Sequence, residues 1–95
     1  MLFLFVAKDK ADHLDLRLAV RPAHLAWLEA AGERLRLAGP ILDPAGEKPV
    51  GSCLVIEATD LADARAFLGT DPYAEAGLFA SVEIHPYRKV TGTGL

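Results

Sequence analysis

Two polar residues, His24 and Asp71, have the types and surroundings that a proton-transfer site needs. His24 stands in the stretch RPAHLAWL, where its neighbours are apolar residues and one arginine. A neutral imidazole accepts a proton near physiological pH and serves as a general base. A carboxylate that hydrogen-bonds such a ring orients it and stabilises the imidazolium, and Asp71 in TDPYAEAG can supply one. The pair predicts proton abstraction if the fold brings the two side chains together.

Both residues also have an ordinary structural interpretation. A half-buried histidine is commonly satisfied by a backbone carbonyl, and an aspartate before a proline commonly caps a helical turn. Proline favours the first helical position, so we expect a helix to open at Pro22 with His24 as its third residue. There the positive end of the helix dipole disfavours an imidazolium. Spacing alone leaves both interpretations open.

Other polar residues are candidate ligand contacts. Ser52 follows Gly51 at the start of a strand and could donate to a ligand oxygen, although a strand-edge serine needs no function. Arg17 and Arg21 could bind a substrate carboxylate, and the alternative of a solvated arginine is favoured for Arg17. Tyr73 could close a pocket or simply pack against the core. No nucleophile-elbow pattern surrounds Ser52, so it is not expected to act as a nucleophile.

The elements that position these residues follow from hydrophobic periodicity and from proline and glycine punctuation. Residues 8–20 read as a loop that has room for one helical turn near Leu14 to Leu18. We expect four strands and two helices, in this order: a strand over Leu2 to Ala7, a helix from Pro22 to about Leu35, a short strand ending near Leu42, a strand in SCLVIEA, a helix capped by Asp60 and stopped by Gly69, and a last strand through Val82 and Ile84. This βαββαβ order predicts an α+β, ferredoxin-like fold, with two helices on one face of a four-stranded antiparallel sheet. The domain is expected to span residues 1–90, with residues 91–95 as a flexible tail.

One face of such a sheet has no cover within the chain. Either Phe3 and Phe5 or Leu2 and Leu4 must lie on it, together with one side of the CLVI stretch. An apolar patch of that size usually marks an interface. We therefore expect a homodimer in which two copies pack sheet on sheet around a two-fold axis, which would also explain the 52% apolar composition.

Composition argues against several classes of function. The net charge is −3 and no basic run is present, so no nucleic-acid partner is expected. A single cysteine, Cys53, and three scattered histidines give no metal-ligand spacing, and no dinucleotide fingerprint is present, so no metal or cofactor is expected. The apolar start, MLFLFVAKDK, lacks a positive flank and a cleavage site, so it reads as a strand rather than a signal peptide. No apolar stretch approaches the length of a membrane span, and a cytoplasmic protein with no membrane partner is expected.

Four stretches in this order resemble the YCII-related proteins: RLAVRPAHLAWL, AGPILD, GSCLVIEA and DPYAEAGLFASVEIHPYRKV. The resemblance runs from Met1 to about Val90 and implies a ferredoxin-like subunit that pairs into a dimeric α+β barrel. It also implies a functional role for His24 and Asp71, and marks Ser52 and Arg21 as typical of the family. The fold resembles that of muconolactone isomerase, which implies proton abstraction and then isomerisation or elimination on a small carboxylated or lactone-like substrate.

In that mechanism His24 removes the proton and Asp71 steadies the imidazolium. Ser52 or a backbone N–H would stabilise an enolate oxygen, and Arg21 would hold a remote carboxylate.

The alternative is a non-catalytic module that binds a small metabolite in the same cavity. Turnover distinguishes the two, because a binding module shows saturation only.

Overall fold

The protein, described over residues 1–95 by a computed structural model, is a four-stranded antiparallel sheet with its helices on one face. The strand order across the sheet is β2-β3-β1-β4. The predicted βαββαβ fold is confirmed, and a short third helix follows the second. The elements are β1 (Leu2–Asp9), α1 (Leu14–Ala31), β2 (Leu35–Leu42), β3 (Pro49–Glu57), α2 (Leu61–Leu68), α3 (Pro72–Glu75) and β4 (Phe79–Tyr87).

The alternation of β1 decides which apolar residues lie under the helices. Phe3, Phe5 and Ala7 are buried on the helix side, where they pair in register with Ile56, Leu54 and Ser52 of β3. Leu2, Leu4 and Val6 point to the opposite face and are only partly buried. The leucines of β1 therefore lie on the uncovered sheet face, and the phenylalanines form the core.

Helix α1 begins at Leu14, eight residues before the predicted start at Pro22. The predicted loop over residues 8–20 is wrong except for the helical turn near Leu14 to Leu18, which is the start of α1, and β1 extends to Asp9. Pro22 lies inside α1 and deprives the Leu18 carbonyl of its helical donor. Leu18 and Pro22 are both exposed, so water can hydrate that carbonyl. The helix ends at Ala31, and Leu35 belongs to β2 rather than to the helical stripe predicted for it.

The second helical segment follows the sequence prediction closely. The Asp60 carboxylate accepts a hydrogen bond of 2.8 Å from the Asp63 amide and caps α2, and Gly69 follows its last residue. The chain then turns into α3, where Asp71 accepts a hydrogen bond of 3.0 Å from the Tyr73 amide. This turn packs against α1 and so places Asp71 beside that helix.

The sheet face opposite the helices has no cover within the chain. Leu37 is 49% exposed on it, and Leu2, Leu4, Val6 and Cys53 are partly exposed. No helix is both long enough and apolar enough to cross a lipid bilayer.

Gly51 is the glycine that lies closest to the backbone of a neighbouring strand. A Cβ atom at this position would lie 2.4 Å from the carbonyl oxygen of Ala7. We expect Gly51→Ala to lower the free energy of unfolding by about 1–3 kcal/mol, because the backbone of β1 or β3 must shift. Gly39→Ala in β2 is the matched control, since its Cβ meets nothing within 4 Å, and we expect it to change the free energy by at most about 1 kcal/mol. Urea denaturation measures both, and equal unfolding midpoints would contradict the prediction.

Candidate active site

His24 and Asp71 meet across the interface between α1 and α3. The His24 Nδ1 atom lies 2.8 Å from Asp71 Oδ1. His24 sits in the middle of α1 and not at its third position, so the predicted influence of the helix N-terminus is wrong. The helix dipole acts within the first turn of a helix, and His24 lies well beyond that turn of α1. What surrounds the imidazole is instead a carboxylate and two aromatic rings.

The Asp71 carboxylate is enclosed and fixes the orientation of the imidazole. Asp71 is 0% exposed, and its Oδ1 accepts from both His24 Nδ1 and the Tyr73 amide. Because an ionised carboxylate only accepts, His24 Nδ1 carries the proton and Nε2 holds the free lone pair. His24 Nε2 makes no hydrogen bond within the chain and is not an enclosed atom, so it stays open to solvent. Asp71 thus caps its own turn and also orients His24, and the two interpretations of this residue are compatible.

Two aromatic rings are stacked with the imidazole. The Tyr73 ring is stacked with His24 at 4.0 Å between centroids, and the Trp27 ring lies 6.0 Å away. Trp27 is itself anchored by a hydrogen bond of 2.9 Å from its indole N–H to the Thr70 hydroxyl. Burial raises the pKa of the Tyr73 phenol, so Tyr73 stays neutral through the physiological range.

Arg17 is a site residue that sequence reasoning placed in solvent. It is 4% exposed, and its guanidinium lies 4.5 Å from the centre of the Tyr73 ring. Its Nε and Nη2 donate to the two oxygens of Asp9 at 2.7 and 3.1 Å, and Nη2 also donates to Ser52 Oγ at 2.7 Å. The expectation of a solvated Arg17 is therefore wrong.

The sequence does predict Arg17 as a site residue when α1 is taken to begin at Leu14. Arg17, Arg21 and His24 stand at positions i, i+4 and i+7 of α1, which places them on one helix face. Starting the helix at Pro22 leaves both arginines outside it and hides this spacing. Asp9 gives no local signal, because its partner becomes a neighbour only when α1 folds back on the end of β1.

These side chains line one cavity of about 210 Å³ between α1 and the β2–β3 half of the sheet. This volume is smaller than the ~300–1,000 Å³ typical of pockets for drug-sized ligands. Arg21 lies at the cavity with its residue exposed, whereas Ser52 and Tyr73 are buried. The structure thus brings all five candidates from the sequence to one cavity: His24, Asp71 (through its bond to His24), Ser52, Arg21 and Tyr73. No three His, Cys, Asp or Glu side chains are grouped so that they could share a metal ion.

A family model for the YCII-related domain matches residues 1–88. The chain belongs to the YCII-related family. Relatives include Protein YciI of Escherichia coli O6:H1 and of Shigella flexneri, each 41% identical over 97 residues, with 95% of this chain and 99% of the relative covered. An uncharacterized protein of Haemophilus influenzae is 37% identical over the same coverage. The resemblance identified from the sequence is thereby confirmed.

Solved structures extend the comparison of this YCII-related chain. The 5-chloro-2-hydroxyhydroquinone dehydrochlorinase TftG from Burkholderia phenoliruptrix AC1100, in complex with 2,5-dihydroxybenzoquinone, superposes with a TM-score of 0.87. It is 33% identical, with 93% of this chain and 94% of TftG covered. An antibiotic biosynthesis monooxygenase described from Chloroflexus aurantiacus is 16% identical with a TM-score of 0.53, with 99% and 98% covered, which shows the shared fold.

The ion pair between Asp9 and Arg17 yields a stability prediction for this YCII-related domain. The two side chains are 7% and 5% exposed, so removing the charge of Asp9 leaves a guanidinium enclosed without a counter-charge. We expect Asp9→Asn to lower the free energy of unfolding by about 3–5 kcal/mol. Glu29→Gln, an exposed acid on α1, is the control and should change it by less than about 0.5 kcal/mol. Urea denaturation checks both, and a similarly small effect of Asp9→Asn would refute the assignment of a buried pair.

Proposed function

We propose that this chain is a small enzyme that abstracts a proton from a small anionic metabolite, with isomerisation or elimination as the outcome. The observation that carries the proposal is the 2.8 Å bond from His24 Nδ1 to the enclosed Asp71 carboxylate, with Nε2 open beside the cavity. This arrangement leaves one ring nitrogen to accept a proton and a fixed negative charge to stabilise the result. The proton transfer requires no cofactor.

The reaction proceeds from the free lone pair of His24 Nε2. The base removes a C–H or O–H proton of the substrate, and the electron pair left behind forms a new double bond. In an elimination the leaving group departs with its bonding pair, and in an isomerisation the proton returns at another carbon. The negative charge of Asp71 stabilises the imidazolium until the proton is passed on. The name of TftG, a dehydrochlorinase at 33% identity, favours elimination and a hydroxylated ring as the substrate class.

Three cavity residues have roles in binding the substrate under this proposal. The Ser52 oxygen accepts from Arg17, so its own proton is free to stabilise an oxygen that becomes negative. Arg21 is exposed at the cavity and would hold a remote carboxylate. Tyr73 forms an aromatic wall against which His24 is stacked, and so limits the rotation of the base.

We also propose that two copies pair through the uncovered sheet face. Leu2, Leu4 and Val6 lie partly exposed on this face, in register with neighbouring strands, and Leu37 on β2 is half-exposed. An isolated domain of 95 residues gains from covering these side chains, and a second copy offers the same surface to itself about a two-fold axis. The family resemblance to dimeric α+β barrels supports the same pairing.

Substitution of the dyad tests the catalytic proposal. With 5-chloro-2-hydroxyhydroquinone and a panel of small lactones and unsaturated acids as substrates, we expect His24→Ala to lower kcat by about 10²–10⁴-fold. Asp71→Asn should lower it by a comparable factor, because the imidazole loses its fixed tautomer. His13→Ala is the control, since His13 does not line the cavity and its ring is hydrogen-bonded to the Ala11 carbonyl. Full turnover by His24→Ala would exclude the base assignment, and saturable binding without turnover in the wild type would favour the binding module.

Sedimentation velocity tests the pairing. Val6 lies in the centre of β1 opposite Cys53 and Glu83, so Val6→Lys puts a charge in the proposed interface while an acidic neighbour accommodates it in the monomer. We expect the wild type to sediment as a dimer and Val6→Lys as a folded monomer. Val90→Lys, at a valine that is 89% exposed in the C-terminal tail, should remain dimeric. A monomeric wild type at micromolar concentration would refute the pairing.

A further inference from the structure

We propose that Trp27 and Thr70 position the pair formed by His24 and Asp71. The hydrogen bond between them, here called the Trp27–Thr70 clamp, holds the turn that carries Asp71 against α1, so that the carboxylate stays within bonding distance of the His24 ring. The inference rests on the proposed function, because it names what keeps the base and its carboxylate together. Neither clamp residue lines the cavity, so both act through the dyad rather than through contact with a ligand.

The clamp lies alongside the dyad and joins the same two segments. Trp27 follows His24 by three residues on α1, and Thr70 directly precedes Asp71. The indole Nε1 donates to Thr70 Oγ1 at 2.9 Å, about one helical turn along α1 from the 2.8 Å bond of the dyad. A single hydrogen bond leaves two segments free to rotate about it, whereas two neighbouring bonds fix both their separation and their orientation.

Helix α3 depends on tertiary contacts for its position. It comprises only Pro72–Glu75, and an isolated helix of this length is not stable in water. If the dyad bond alone held the turn, each change of charge on His24 would also change the force that holds Asp71. The clamp is made of uncharged groups, so it holds the turn equally in both protonation states of the imidazole.

The Thr70 hydroxyl uses both of its hydrogen-bonding roles at this point. It accepts from Trp27 and donates to the Phe67 carbonyl at 2.6 Å, in the last turn of α2. Hydrogen bonds in such a chain polarise and strengthen one another. The clamp therefore joins α1 to the end of α2 as well, and valine, which has the shape of threonine without the hydroxyl, breaks it.

Stacking fixes the direction of the indole N–H. The Trp27 ring is stacked with Phe67 at 4.8 Å between centroids, and the Arg34 guanidinium lies 4.3 Å from the centre of the Phe67 ring. Thr70 is exposed and Trp27 is only partly buried, so the clamp lies outside the enclosed core. We therefore expect its loss to loosen the turn without unfolding the sheet.

Hydrogen exchange followed by NMR tests the clamp without a substrate. Two reporter protons are donated to Asp71 Oδ1, namely the Tyr73 amide proton and the His24 Nδ1 proton. Their exchange rates rise with the fraction of time that the turn is open. Amides in the paired strands β1 and β3 report on global unfolding and serve as the reference.

We expect Thr70→Val to speed the exchange of both reporter protons about 2–10-fold relative to the reference amides. Trp27→Phe keeps an aromatic ring but removes the donor, so it should give a similar factor, and the double variant should give no more than the larger single effect. Thr70→Ser keeps the hydroxyl and should restore wild-type rates. Thr59→Val is the matched control, because it removes a hydroxyl that donates to Asp63 near the other end of α2, and it should leave both reporters unchanged.

Steady-state kinetics give the second readout. With 5-chloro-2-hydroxyhydroquinone, or whichever compound of the panel the wild type converts, Thr70→Val and Trp27→Phe should lower kcat about 2–10-fold and leave KM unchanged. The reason is that the clamp orients the base and does not contact the substrate. A merely structural role would instead speed the exchange of the reference amides by the same factor and leave kcat per folded molecule unchanged.

The outcomes separate the clamp from the proposed function. If Thr70→Val and Trp27→Phe speed only the reporter protons while no compound is turned over, the clamp stands and the catalytic proposal fails. If His24 controls turnover but these variants leave the reporters and kcat as in the wild type, the clamp is overturned and the base assignment stands. Equal acceleration of the reporter protons and the reference amides, or faster reporter exchange with an unchanged kcat in an active enzyme, also overturns the positioning role.

Discussion

One carboxylate oxygen, Asp71 Oδ1, joins the parts of the molecule that make the cavity. It accepts from the Tyr73 amide and so shapes α3, and it accepts from the His24 ring and so ties α3 to α1. The second oxygen, Oδ2, is enclosed and has no partner. Because Oδ2 lacks a partner, a positive charge on the neighbouring imidazole stabilises the Asp71 carboxylate further. A base reaction at His24 produces that positive charge.

The interior of this small domain is unusually polar on one side. Four of its 16 buried residues are polar or charged: Arg17, His24, Ser52 and Asp71. All of them contact the cavity or hold a residue that does, whereas the other side of the helix–sheet layer is filled by Phe3, Phe5, Leu54 and Ile56. Buried polar residues that cluster at one cavity are expected of a functional site. Selection for stability alone would replace them with apolar residues.

The sequence was sufficient for the fold and for part of the site, and the reasons are local. Alternation in the strands and the Asp60 cap depend on neighbours in the chain, so they predicted the sheet and α2. Proline misled the prediction of α1, because the rule that favours proline in the first turn was applied to Pro22, which the packed helix tolerates in an exposed middle turn. The pairing of Asp9 with Arg17 depends on how α1 returns over β1, and no spacing in the sequence encodes that contact.

Strand β3 shows how the sheet register controls the site. Its alternation directs Ser52, Leu54 and Ile56 toward the helices, and Cys53 and Val55 toward the open face. A slip of one residue would turn the Ser52 hydroxyl away from Arg17 and expose two core side chains. Gly51 opposes such a slip, because only a residue without Cβ fits against the Ala7 carbonyl at that point. The glycine next to the serine thus helps hold the hydroxyl in the cavity without contacting a ligand itself.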